Sequence, residues 1–595
     1  MNHYQFSSSI QKIIRTLLLL TVVLLSITPF GVLPAYAAPP PPNDTWQTPT
    51  AIGSIPFSET LDTTAAHNEI DEPDITTLGT CQGEVLNAGL ATVWYTYAAP
   101  ANALISLDTL GSTSSEINPV THQVYQYDTY IAVWTGNIAS NPTLVACNDD
   151  SDAGYQSQLG FNVVAGTTYY IQVAEYNGQN GTFVNPGYNG GSLKFHVGYG
   201  SHVDVFIGGT KQGNTFTLLP GQSVRPTYNL DSGPVKIVNN EGNDTIAALR
   251  DAWLINNQVT SFAQMMGLPQ GQLSDTYYFP AYNNVTLSGQ LRIANVDSVA
   301  TDVTVTIAGV PQLPAQHLLP NQSWRPTYNL DAGPVVVKSS GGTKIIAALR
   351  DAWMINNQVT SFVQLMGLPK ESLSDTYYFP AYNNVTLSGQ LRIGNVDTVA
   401  TDVTVTIAGV PQLPAHHLNP NESWRPTYNL DAGPVVVKSS GGTKIIAALR
   451  DAWMINGQVH SFAQLMGLPK EKLSDTYLFP AYNNVTLSGQ LRIGNVDTVA
   501  TDVTVTIAGV DRGTYHLTPN QSVRPTYALD AGPVVVKSSG GTKIIAALRD
   551  AWMVNGQVTS FVQLMGLPKE ALSAIYWFPA YNNVTLSGQL RIGVP

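Results

Sequence analysis

FPAYNNVTLSGQLRI occupies residues 279–293, and the same fifteen letters recur from Phe379, Phe479 and Phe578. Within it Val285, Leu287, Leu291 and Ile293 fall on one face of an extended chain, and Thr286, Ser288, Gln290 and Arg292 on the other. That alternation is the period of a β-strand. Phe279 and Tyr282 read as packing residues, Pro280 as the blunted start of a strand, and Asn283-Asn284 as a turn. A polar patch for sugar or protein at Tyr282, Asn283, Asn284 and Arg292 is the competing reading. Nearly everything around the stretch is repeated as well, so identity does not single out a site, and the stretch reads as scaffold.

Outward from it the chain repeats with a period of 100 residues, from Thr301 to Ala400 and from Thr401 to Ala500. A fourth copy starts at Thr501, and a divergent first copy starts near His202. A period of this length fits tandem sandwiches better than solenoid units of about 20–45 residues. In TDVTVTIAG, Val303, Val305 and Ile307 alternate with Thr304 and Thr306. GPVVVKSSGGTKIIAAL reads as two strands about the turn Ser339-Ser340-Gly341-Gly342, and DAWMINNQVTSF as a hairpin. SFVQLMGLP reads as a short helical turn. About seven short strands per unit resemble an immunoglobulin-like sandwich. The segment LRIGNVDTVATDVTVTIAG reads as a hairpin across the repeat boundary, so neighbours are open to exchanging strands. Short connectors without flexible Gly/Ser runs predict a rigid extended stalk, about 130 Å long for four units.

Composition sets the limits around this array. Of 595 residues only 11% are charged, which suits strands with uncharged polar faces better than long helices. Residues 38–200 hold 15 acidic side chains against the single base Lys194. The chain as a whole carries −12, which argues against nucleic acid as a partner. Lys12 and Arg15 before an apolar run, with AYA at 35–37, read as an export signal. The sequence therefore divides into a signal peptide (1–37), an acidic sandwich (38–200) and four repeats (201–300, 301–400, 401–500 and 501–595). The mature chain is expected to be secreted or at the cell surface, without a membrane span.

The acidic unit carries a resemblance. ND (43–44), NEIDEP (68–73), TVWYTY (92–97), DTYIAVWTG (128–136), LVACNDD (144–150) and AGTTYYIQV (165–173) occur in the order found in the bacterial pre-peptidase C-terminal domain. Collagen-binding domains of bacterial collagenases are similar to that family. The resemblance implies a jelly-roll-like β-sandwich, and Ca2+ binding as in some members. By matching positions, Asn43, Asp44 and Glu72 would be calcium ligands. Asp149 and Asp150 form a second candidate group, as oxygen-rich clusters suit this ion. The family's module usually follows an enzyme, whereas here it comes first. Cys81 and Cys147 are the only cysteines, and in an exported domain they are expected to form a disulfide.

No chemistry-bearing motif appears: HExxH, GxSxG, the P-loop, CxxC and dinucleotide glycines are all missing from the sequence. Arg350 and Asp351 recur, but neighbours on a strand point to opposite faces. The expectation is a non-catalytic, all-β protein: an N-terminal binding domain on an immunoglobulin-like stalk, in adhesion or envelope structure. Its partners would be extracellular polysaccharide or protein matrix. The alternative is an accessory polysaccharide- or protein-binding module beside exoenzymes. Exposed aromatics near Trp94, Trp134 or Tyr188 would favour sugar stacking.

Overall fold

The computed structural model describes residues 39–69, 71–73, 90–117, 124–151, 154–176, 190–255, 258–355, 358–455, 458–554 and 557–595. They form an all-β protein, with no helices but short 3-10 turns among the described residues.

The N-terminal unit is a sandwich. One sheet holds Leu90–Ala98, Thr168–Glu175, Thr129–Asn137 and Asn141–Asn148, with Thr50–Ala51 parallel to the first. The other holds Ala103–Asp108, Gln158–Val163, Gly191–Tyr199 and Phe57–Asp62, with Thr113–Ile117 and Val124–Gln126. Alternate residues such as Val93, Tyr95, Ile131, Val133, Phe161 and Phe195 form the core between them. Trp94 and Trp134 point the other way, yet both are fully buried, with Trp46, Leu144 and Tyr170 against them. The two tryptophans named for sugar stacking are therefore inside, and Tyr188 lies outside the described residues.

Each repeat unit is also sandwich-like. In the unit spanning 276–369, one sheet orders Val310–Leu318, Thr301–Ile307, Val335–Ser339, Thr276–Phe279 and Leu368–Pro369. The other orders Ser323–Trp324, Ser288–Asn295, Ile345–Ile355 and Gln358–Met366. Val303, Val305 and Ile307 are buried against Leu291 and Ile293 of the facing sheet, as alternation predicts. Val285 is 62% exposed, because the strand begins only at Ser288. Gly341 and Gly342 take φ of 64° and 77°, the left-handed turn read from Ser-Ser-Gly-Gly. That turn, however, passes between sheets: Val335–Ser339 and Ile345–Ile355 belong to opposite layers.

Two local readings are corrected. SFVQLM is not a helical turn but the strand Gln358–Met366, followed by a 3-10 turn at Lys370–Ser372. Phe362, Val363 and Leu365 are buried beside Ser361 and Gln364, so both faces are covered and the alternation that marks a strand is lost. LRIGNVDTVATDVTVTIAG is not a hairpin either, since Ser388–Asn395 and Thr401–Ile407 lie in different sheets.

The larger correction concerns the stalk. The 100-residue frame is displaced: units run over 276–369, 376–469 and 476–568, each beginning with the TYYF or TYLF strand. The remaining unit is a composite, assembled from both ends of the repeat region. Ile575–Phe578 pairs with Val235–Asn239, Tyr581–Asn582 with Asp231–Ser232, and Ser587–Gly593 with Ile246–Ile255 and Ser223–Val224. The last strands thus complete the first unit, and the array is a closed ring rather than a rod. An open rod would leave Tyr576, Phe578, Leu590 and Ile592 without the core in which all four are fully buried.

Candidate functional site

The recurring polar residues are the natural first candidates, and the ring uses them for its own closure. Asp251, Asp351, Asp451 and Asp550 are fully buried. Each accepts a hydrogen bond from a glutamine of the next unit: Gln364 at 2.5 Å, Gln464 at 2.7 Å, Gln563 at 2.5 Å and Gln264 at 2.6 Å. The last of these joins the composite unit to its neighbour across the chain ends. Arg292, Arg392, Arg492 and Arg591 come within 3.5–3.8 Å of the same carboxylates. Burial pushes all four carboxyls up, while the arginines and glutamines pull them down.

Two further sets run round the ring, and a third contact spans two of its junctions. The amides of Phe362, Phe462, Phe561 and Phe262 donate to Ser261, Ser361, Ser461 and Ser560. Arg325, Arg425, Arg524 and Arg225 pair with Asp231, Asp331, Asp431 and Asp530. Arg350 lies over Trp253 of the preceding unit, 5.8 Å from the ring centroid, and Arg250 over Trp552 at 5.7 Å. The opening stretch is equally occupied. Tyr282 donates its hydroxyl to the Gly289 carbonyl at 2.8 Å, and Asn283 Oδ1 accepts from the amides of Val285, Thr286 and Leu287.

The acidic unit differs. Asp44 accepts from the His67 amide at 2.7 Å and sits 3.2 Å from its Nδ1. Thr92 donates to Glu72 at 2.7 Å, and Trp94 Nε1 donates to the same Oε1 at 2.7 Å. Burial pushes Glu72 up to about 8 against the help of Trp94 and Thr92, with Glu69 adding to the rise. Asn43 is 1% exposed and donates to the Trp94 carbonyl, while its Oδ1 makes no hydrogen bond among the described residues. Burial and the neighbouring Glu59 carboxylate push the Tyr95 hydroxyl up, with Asn43 acting the other way.

Of the calcium ligands read from sequence, Asp44 and Glu72 join one network through His67 and Thr92. Asn43 keeps a buried acceptor free, while Asp44 spends both oxygens on His67. The donor set therefore fits a hard cation in part. Among the described residues no three acidic, histidine or cysteine side chains form a metal cage, and Asp74 lies outside them.

Asp149 and Asp150 are brought near Asp128 and Glu175, which sequence reasoning missed. Burial first, then Asp150, Asp149 and Glu175, push Asp128 up to about 7. Only the pairing of the strand after it, Thr129–Asn137, with Asn141–Asn148 could have signalled this. Cys147 is half-buried at the end of that strand, and Cys81 lies outside the described residues, so their disulfide is not addressed by the structure. Among the described residues no helix is long and apolar enough to cross a membrane.

No protein family matches the chain, and no curated protein matches it. Among solved structures, a mycobacterial arabinofuranosyltransferase aligns at 9% identity and TM-score 0.10, over 76% of this chain and 39% of that one. A tetra-tandem repeat from the extending region of a large adhesion protein aligns at 12% identity and TM-score 0.08, over 78% of this chain and 99% of that one. Likenesses this weak carry no argument about fold or function, and in the first the chain spans well under half of its counterpart.

Proposed function

We propose that this is an exported, non-catalytic binding protein of the cell surface or extracellular matrix. A ring of four immunoglobulin-like sandwiches displays the acidic, jelly-roll-like N-terminal sandwich. The observation that carries this reading is a division of labour. The ring's recurring Asp, Gln and Arg side chains bridge one unit to the next, whereas in the acidic unit Asp44 and Glu72 gather in one network through His67 and Thr92 that joins no other unit among the described residues. The ring also holds that unit directly: Gln158 donates to the Pro220 carbonyl at 2.7 Å, and Gln222 to Gln158 at 3.0 Å. Ca2+ at Asn43, Asp44 and Glu72, with Asp149 and Asp150 as a second group, would neutralise a unit of 15 acids and one base. A Cys81–Cys147 disulfide would brace it.

The test is capture by the immobilised full chain of glycans, collagens and whole bacteria, in millimolar calcium and in chelator. Saturable capture strengthened by calcium is expected. Capture of none of these sinks the reading. An accessory polysaccharide-binding role is the second reading, and the cleft described next favours it.

A further inference from the structure

One of the ring's departures from its own symmetry faces a cleft. Lys236 and Trp577 stand opposite each other in register in the composite unit. The same pair of positions is Val336 and Tyr278 in the next unit, Val436 and Tyr378 in the third, and Val535 and Leu478 in the fourth. Lys370 pairs with Asp275, Lys470 with Asp375 and Lys569 with Asp475. In the composite unit Gln270 and Ala574 stand at those positions, so that ion pair is gone.

What this leaves is a cleft of 730 Å3 between the composite unit and its neighbour, lined by Lys236, Gln270, Trp577, Asp297, Asn321 and Lys344. Its size lies within the range of small-ligand sites, about 300–1,000 Å3. Trp577 is 7% exposed, and its indole N–H is buried without a partner among the described residues. A buried donor left unpaired is costly, and a ligand acceptor would satisfy it. The Lys236 ammonium lies 5.3 Å from the indole centroid. Asp297 accepts the backbone amides of Lys344 at 3.1 Å and Ser298 at 2.7 Å, stays ionised and offsets the Lys344 charge beside it, which leaves Lys236 as the cation of the cleft with no ion pair among the described residues.

We propose that this cleft binds an acidic oligosaccharide, two or three rings long and bearing uronate carboxylates. Lys236 would take a carboxylate. Gln270 and Asn321 would exchange hydrogen bonds with hydroxyls, and the indole N–H would donate to one more oxygen. The proposal rests on reading the chain as a binding protein and names the ligand class for a site on the ring, apart from the acidic unit.

The test is calorimetric titration of the full chain with trigalacturonate, with cellotriose as the neutral probe and inorganic phosphate as the plain anion. Trigalacturonate should bind with one site per chain. K236V with W577Y should weaken it at least tenfold, and K236V alone should account for most of the loss. Both replacements are the residues of the 276–369 unit at these positions, so the melting temperature should stay within a few degrees. The proposal is overturned if trigalacturonate does not bind, if the double variant binds it as well as the parent, or if cellotriose or phosphate binds equally. Failure of the parent chain to bind trigalacturonate while it still captures matrix or cells would overturn the cleft and leave the binding reading intact.

Discussion

Phe578→Ala separates a closed ring from an open array. Phe578 is fully buried and stands opposite Val235 in register. It shares a core with Ile237, Leu249 and Ile592. Removing a buried phenylalanine costs about 3–5 kcal/mol. The loss should fall on residues 201–269, more than 300 positions upstream, because they form the rest of that sandwich. At about 1.4 kcal/mol per decade, amides of Val235–Asn239 and Ile246–Ile255 should exchange with solvent roughly two to four orders of magnitude faster. Phe479→Ala is the control, since Phe479 holds the same place in a unit built from contiguous sequence. Its effect should match in size and fall on residues 476–568. Hydrogen exchange read by mass spectrometry resolves the two regions. If Phe578→Ala leaves residues 235–255 protected and loosens only the C-terminal segment, the composite unit does not exist.

Three further outcomes follow from the same contacts. Asp351→Ala strips Gln464 and Arg392 of their buried partner and should lower stability by about 3–5 kcal/mol in urea denaturation; a loss near zero would show that these groups do not close the ring. Glu72, held up near 8 by burial, keeps a proton in the folded protein that it loses when unfolded above the ordinary carboxylate range. The acidic unit should therefore be most stable at low pH and lose stability as pH rises toward 8. Calcium would replace that proton, so binding at pH 7 should release about one proton in calorimetry across buffers of different ionisation enthalpy, and Glu72→Gln should abolish the release; binding without proton release would remove Glu72 from the ligand set. Peptide mapping without reduction should find Cys81 joined to Cys147, and two free thiols in protein from its native compartment would rule the bond out.

What could be read from the letters alone was local. The inward Val303, Val305 and Ile307, the turn at Gly341-Gly342 and the scaffold role of Tyr282 and Asn283 all follow from patterns a few residues long. The strand Gln358–Met366 escaped because it is buried on both sides, which removes its alternation. Closure escaped for a different reason. A rod and a ring can be built from the same repeated unit, and the angle between neighbours is set by Gln–Asp and Arg–Asp contacts some 93–113 residues apart. One signal was present. The repeat region begins without the TYYF strand and ends with IYWF and its following strands, so each end carries the half the other lacks. In the acidic unit, matching positions singled out Asp44 and Glu72 as candidates, but their anchoring by His67, Thr92 and Trp94 depends on the fold, as does the approach of Asp128 to Asp149 and Asp150.

The central claim is that the two ends of the repeat region meet. The Asn583 amide donates to the Leu230 carbonyl at 2.9 Å, and the neighbouring side chains of Asn229 and Val584 are exposed. Spin labels at positions 229 and 584, read by pulsed dipolar spectroscopy, measure that approach. The ring predicts backbone positions within about 15 Å of each other, given 3.8 Å per residue step. An extended array would separate them by about 100 Å, three unit lengths of strands rising about 3.3 Å per residue, and a distance of that order would contradict the account.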